Sequence, residues 1–308
     1  MSYLRKTSQY ILRGFLFLSL SILFFSCATR PPSGPAQALP ESFAAIETVL
    51  PHWKPAAKGV DFFHGKTAKP ELEFWALKIK LASPDLQIVV KGGMEDTAGG
   101  TERTLSVKVS TFVSANGLIA GINAAPFDIS SSKEGQPIKN IGIVISDGKQ
   151  ISPANPRYDA LVFYKNGKGA VVNQASIKST ENIVNAVGGF YQILVNGESS
   201  ERTLNRENRE PRSAAGISAD GEYLYLLVID GRRSGSTGST EKETAMLLLA
   251  LGSWNGINFD GGGSSALALR GTDGKVRVLN TPIHGGIPGM ERAVAGCLGI
   301  ASNPSTGK

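Results

Sequence analysis

Short runs in which apolar and polar residues alternate dominate the chain, and they predict strands. WALKIKL (75–81) sets Leu77, Ile79 and Leu81 against Lys78 and Lys80, the pattern of a half-buried strand. LQIVV (86–90), LIAGIN (118–123), IGIVIS (141–146), LVFY (161–164) and AVV (170–172) are further short apolar runs. Asp147-Gly148, Asn166-Gly167 and Asp220-Gly221 predict tight hairpins, the last inside SAAGISADGEYLYLLVIDG (213–231). GINFD (256–260) and SALALRG (265–271) are expected to pair with each other across three glycines. VRVLN (276–280) and AVAGCLGIA (293–301) would then complete the sheet.

Helical patterning is confined to three places. TEKETAMLLLALG (240–252) has Thr240 at the N-cap, Glu243 three residues on as in a capping box, and Gly252 past its end. TENIVNAVG (180–188) predicts a shorter helix, capped similarly. In TLSVKVSTFVSAN (104–116) the first half alternates like a strand, whereas Val109, Phe112 and Val113 predict a helix stopped by Gly117. The expected class is α+β: a mixed, mostly antiparallel β-sheet core with a few packed helices, in a single domain.

The first 26 residues read as an export signal rather than fold. Arg5, Lys6 and Arg13 precede the apolar run Gly14–Phe25, which is too short to span a bilayer. The run ends in FFSC, a loose lipobox in which Cys27 would be lipidated, anchoring the exported chain to the bacterial cell envelope on its periplasmic or cell-surface side. Residues 27–47 are proline-rich and read as a tether, leaving 48–308 as the folded domain. Removing the signal takes away three positive charges and lowers the net charge from +6 to +3, so nothing in the charge points to nucleic acid. Once Cys27 is lipidated, Cys297 alone remains, in an apolar run where it reads as a small buried hydrophobe.

Common catalytic signatures are missing. No phosphate-binding loop of the nucleotide type and no G-x-S-x-G elbow occurs, and three scattered histidines make no zinc signature. His284, in NTPIHGGIPG, reads as a loop residue rather than a base. What remains is a set of acids and arginines at the ends of apolar strands, flanked by glycine: Asp230 and Arg232, Asp260, Asn123 and Asp128, Arg212, Glu291 and Arg292. Three consecutive glycines beside Asp260 are costly in ordered structure, and imply that something approaches the backbone closely.

NFDGGGSSAL (258–267) resembles the N-L-D-G-G-G-S signature of the phosphodiester glycosidases. GINAAPFD (121–128), GGFYQILVNGE (188–198), PRSAAGIS (211–218), IDGRRSGSTGSTEKETAMLLLALG (229–252) and ERAVAGCLGIA (291–301) are similar to other blocks of that family, in the same order, over residues 72–303. The departures are Ala124-Ala125 where a glycine is usual and Ser213 for threonine.

The resemblance implies hydrolysis of a sugar joined through its anomeric carbon to a phosphodiester. Such chemistry needs a carboxylate near the anomeric carbon and cations on the phosphate. Asp260 is the expected carboxylate, with Asp230 or Glu243 as partner, although Glu243 could be only a helix cap. Arg212, Arg232 and Arg292 would grip phosphate. Gly261, Gly262, Gly263 and Ser264 would offer backbone N–H groups, and Asn123 and Asn258 would bind sugar hydroxyls or stabilise turns. Asp128, Asp230 and Asp260 could alternatively hold calcium; no cofactor is predicted. The rival readings are a glycosidase of unphosphorylated envelope polysaccharide and a non-catalytic carbohydrate-binding lipoprotein.

Overall fold

The computed structural model describes residue 46 and residues 49–92, 103–128 and 133–303. The export signal, Cys27 and the tether lie outside the described residues, and no described helix is long and apolar enough to cross a membrane. An eight-stranded sheet runs, in spatial order, through Lys54–Ala57, Val60–Ala68, Glu71–Lys80, Tyr223–Ile229, Arg212–Ile217, Asn255–Asn258, Tyr191–Val195 and Glu198–Ser199. One five-stranded sheet has Ala120–Asn123 at its centre, between Leu267–Arg270 and Cys297–Ser302. The other centres on Ile183–Gly188, between Asp159–Tyr164 and Val144–Ser146. A two-stranded sheet pairs Arg103–Leu105 with Pro137–Lys139.

The main core forms where one face of the eight-stranded sheet meets both five-stranded sheets. Leu77, Ile79, Leu226, Val228 and Ile257 from the first pack with Ile122, Leu298, Leu161 and Val187 from the others. The opposite face, carrying Phe74, Ala214, Leu227 and Ile229, packs under helix α2 (Glu241–Leu251). The shorter helix α1 (Val109–Ala115) covers the outer face of the sheet that holds Ala120–Asn123. Phe74–Leu77 is therefore buried on both faces, whereas Lys78 and Lys80 alternate with buried Leu77 and Ile79 as the pattern predicts, Lys78 Nζ lying 4.7 Å from the Tyr223 ring centroid.

Every pairing between these strands is antiparallel, and among the described residues only two α-helices occur, so the fold is largely β rather than an α+β mixture. Both helices lie where the pattern places them, and α2 has its full capping box on Thr240 and Glu243 with Gly252 left-handed at its end. Two expectations fail. The segment expected to be helical at 180–188 is a turn followed by the strand Ile183–Gly188, because β-branched Ile183, Val184 and Val187 sit inside a sheet with a partner on either side. Asn255–Asn258 and Leu267–Arg270 do not pair: the first lies between Tyr191–Val195 and Arg212–Ile217, the second between Ala120–Asn123 and Val276–Val278. The glycine-rich stretch is thus a crossover from one sheet to another, not a hairpin.

Candidate active site

Register in the eight-stranded sheet brings the strand-end groups to one edge. Arg212 lies opposite Ile229, the residue before Asp230; Ala214 lies opposite Asn258, two residues before Asp260; and Asn258 lies opposite Tyr191. Asp260 leaves this sheet and is caught by the neighbouring one. Its N–H donates to the Ala124 carbonyl at 2.9 Å, and its carbonyl accepts from Asn123 Nδ2 at 2.6 Å. Asn123 is fully buried, and its Oδ1 accepts from Ser213 Oγ at 2.7 Å and from the Ala266 N–H at 3.1 Å. Of the two roles expected for Asn123, the structure gives it that of a turn clamp behind Asp260.

Arginine guanidinium groups stand over the second and third glycines, and a backbone carbonyl over the first. A Cβ on Gly261 would lie 2.9 Å from the Pro211 carbonyl and 4.0 Å from Arg212 Cδ. One on Gly262, whose φ of +60° is left-handed, would lie 3.3 Å from Arg232 Nη2. One on Gly263 would lie 2.8 Å from Arg292 Nη2. The close approach implied by the glycines is therefore first that of guanidinium groups. Their amides are largely engaged internally: Gly261 donates to the Asp260 carboxylate, Gly262 to the Pro211 carbonyl, Ser264 to the Gly261 carbonyl. The expected row of bare backbone donors at Gly261, Gly262 and Ser264 is not formed.

The Asp260 carboxylate also accepts from Ser264 and lies near the Arg292 guanidinium. Burial pushes its pKa above the ordinary aspartate value, outweighing the Ser264 bond, the Arg292 charge and the Gly261 N–H. Arg292 donates from Nη1 to Ser264 Oγ at 3.1 Å and from Nε to His284 Nδ1 at 3.0 Å. With Nδ1 accepting, His284 carries its proton on Nε2, and burial together with Arg292 lowers its pKa. The sequence reads His284 as a loop residue rather than a base; tertiary contact makes it the end of a chain running through Arg292 and Ser264 to Asp260. Its only local signal is the glycine pair that follows it.

Asp230 and Glu243 are placed differently. Asp230 is fully buried, and its oxygens accept from Arg233 Nε (2.8 Å), Asn280 Nδ2 (3.2 Å) and the Thr281 N–H (3.0 Å). Glu243 accepts from the Thr240 N–H at 3.0 Å on one oxygen and from Arg209 on the other. Both carboxylates are thus engaged by the fold, and the second arginine of IDGRR, not singled out from sequence, is the partner of Asp230.

Arg232 is held in a left-handed conformation by the Glu210 carboxylate, 2.6 Å from Nη2. Arg212 is mostly buried and donates to the Ser239 and Asn208 carbonyls, with Glu241 3.7 Å from Nη1. Asp128 is exposed and accepts from the Lys139 N–H at 2.9 Å. Asn258 is buried with no hydrogen-bond partner for its Oδ1. Among the described residues no three Asp, Glu, His or Cys side chains gather as a metal group, so Asp128, Asp230 and Asp260 do not form the calcium site considered above. Cys297 is fully buried, and its thiol is pushed up to about 12, the state of an inert core residue.

Comparison with known proteins bears on the family and the fold. A 93-residue stretch is 36% identical to the SPbeta prophage-derived uncharacterized protein YomE of Bacillus subtilis (strain 168), spanning 30% of this chain and 13% of that protein. The fold is similar to the catalytic domain of zebrafish N-acetylglucosamine-1-phosphodiester alpha-N-acetylglucosaminidase, a structure auto-inhibited by its pro-peptide. There the TM-score is 0.57 with 19% identity, over 83% of this chain and 89% of that one. It is also similar to a hypothetical protein from Synechocystis, with a TM-score of 0.59 and 14% identity over 80% of this chain and 63% of that one. The family model for phosphodiester glycosidase matches residues 116–301, which hold every site residue described above, and the chain belongs to that family.

Proposed function

We propose that the protein hydrolyses sugar-1-phosphodiesters, cleaving the bond between the anomeric carbon and the phosphate oxygen. The observation that carries this reading is the Asp260 carboxylate set in a loop whose second and third glycines admit the Arg232 and Arg292 guanidinium groups. Asp260 faces the positive charge that develops on the sugar and takes a proton from the attacking water. The bonding pair of the broken C–O bond leaves on the phosphate, where Arg232 and Arg292 stabilise it. Because phosphate leaves readily as an anion, no second carboxylate is required as a strong acid. This agrees with the engagement of Asp230 and Glu243 elsewhere. His284 and Ser264 hold Arg292 in place, and Arg212 supports the loop from its flank.

The test is to offer the purified chain a panel of sugar-1-phosphodiesters beside the matching plain glycosides. Release of reducing sugar from the diesters alone is the expected result. Equal release from both would favour an ordinary glycosidase, and no release by folded protein would remove the enzyme reading. We also read Cys27 as the lipid-bearing residue that holds the domain at the outer side of an envelope membrane. Fatty-acid labelling that persists in Cys27→Ala would overturn that assignment.

A further inference from the structure

Next to the glycine loop stands a second group that the reaction above does not use. The guanidinium carbons of Arg206 and Arg202 lie 4.8 and 5.1 Å from the ring centroid of Tyr191. Tyr158 and Phe190 extend the aromatic surface, with ring centroids 5.9 and 6.4 Å from Tyr191. Each arginine makes a single, long ion pair with a buried carboxylate: Arg206 with Glu241 at 3.3 Å, Arg202 with Asp159 at 3.6 Å. Both side chains stay nearly half exposed, 45% and 48%. A guanidinium has five N–H donors, so most donors on both residues are unengaged among the described residues.

The two carboxylates do not neutralise this group. Glu241 is shared with Arg212, and Asp159 already accepts from the Gln192 N–H (2.6 Å) and Asn173 Nδ2 (2.7 Å). Three arginines thus face two carboxylates. Stacking on the ring pre-orients the planar donors, which lowers the entropic cost of forming a bidentate contact with an oxyanion. Tyr191 lies opposite Asn258, the last residue of its strand and two before Asp260.

We propose that Arg202 and Arg206, laid against Tyr191, form a subsite for an oxyanion carried by the glycan beyond the sugar at Asp260. The substrate is then a polyanionic glycan chain rather than an isolated glycosyl phosphodiester with no further charge, and this deepens the hydrolase reading on which it rests. Phosphate and sugar carboxylate share the required chemistry.

Calorimetric titration of the full chain with a linear glycerol-phosphate oligomer, an oligogalacturonate and neutral maltohexaose separates the cases. The expected result is binding of at least one anionic oligomer, with maltohexaose inert. Binding should fall roughly tenfold or more in Arg202→Gln/Arg206→Gln and partly recover in Arg206→Lys, which restores charge without the planar fork. Binding of neither anionic oligomer, or binding unchanged in the double variant, overturns the subsite. Hydrolysis of a neutral-aglycone diester, measured in parallel, should be the same in wild type and double variant. If no diester is hydrolysed while oligomer binding still depends on the two arginines, the hydrolase reading fails and the subsite stands.

Discussion

Arg292 donates from Nη1 to Ser264 Oγ at 3.1 Å, and through that hydroxyl it is tied to the Asp260 carboxylate. Its Nε is held in turn by His284. Lysine keeps the charge but cannot donate to both neighbours in a fixed plane. Arg292→Lys should therefore lower kcat/KM on a sugar-1-phosphodiester by about 10- to 100-fold, in kcat as well as KM, because the lost contacts stabilise charge that develops on the phosphate as the bond breaks. Steady-state kinetics with the melting temperature as control checks this; an unchanged kcat/KM would remove Arg292 from phosphate binding.

Asp260→Asn keeps the shape and removes the base. Turnover should fall by about 10²- to 10⁴-fold while the melting temperature holds or rises, because a buried charge is removed. The pH profile follows from the direction of the Asp260 shift. Burial raises its pKa, and the reaction needs the ionised form, so kcat/KM should rise with pH through a midpoint above the ordinary aspartate value. A rate that instead falls with pH through that region would assign Asp260 as an acid.

Gly263→Ala tests whether the glycines exist for arginine. The added methyl would stand 2.8 Å from Arg292 Nη2 and 3.2 Å from His284 Cα, so the guanidinium must shift. Activity should drop by about tenfold or more while stability changes by about 1–3 kcal/mol at most. Wild-type kinetics in this variant would show that the position of Arg292 does not matter.

A separate network secures the edge beneath the site. Arg233 joins Asp230 to Glu73, and Glu73 also meets His64 and Lys66 at 2.9 Å. Burial alone would raise the Glu73 pKa, but hydrogen bonds from Arg233, Lys66 and His64 hold it down at about 2. A carboxylate lowered in the folded state stabilises it above the unfolded value of 4.5, and that contribution is lost as pH falls toward 2. Glu73→Gln should cost about 1–3 kcal/mol at neutral pH and flatten the acid side of the stability curve between pH 5 and 2. Urea unfolding across that range is the measurement, and parallel curves for the two proteins would refute the assignment.

Features set by neighbours along the chain were legible before any fold was known. Helix α2 with its Thr240–Glu243 box, the Asp-Gly and Asn-Gly hairpins and the apolar run around buried Cys297 depend on local dihedrals, side-chain reach and composition over a few residues. The crossover of the glycine stretch between sheets, the strand at 183–188, the engagement of Asp230 by Arg233 and Asn280, and the entry of His284 into the site were decided only by tertiary structure. Arg233 is only three residues from Asp230, but the contacts that fix the site span the chain: Asp230 meets Asn280 fifty residues on, and Asn123 clamps Asp260 from 137 residues away. Residue type can nominate a carboxylate, but whether its lone pairs face solvent or are taken by buried donors depends on which strands lie side by side. That is why Asp230 and Asp260 look alike along the chain and differ in the folded protein.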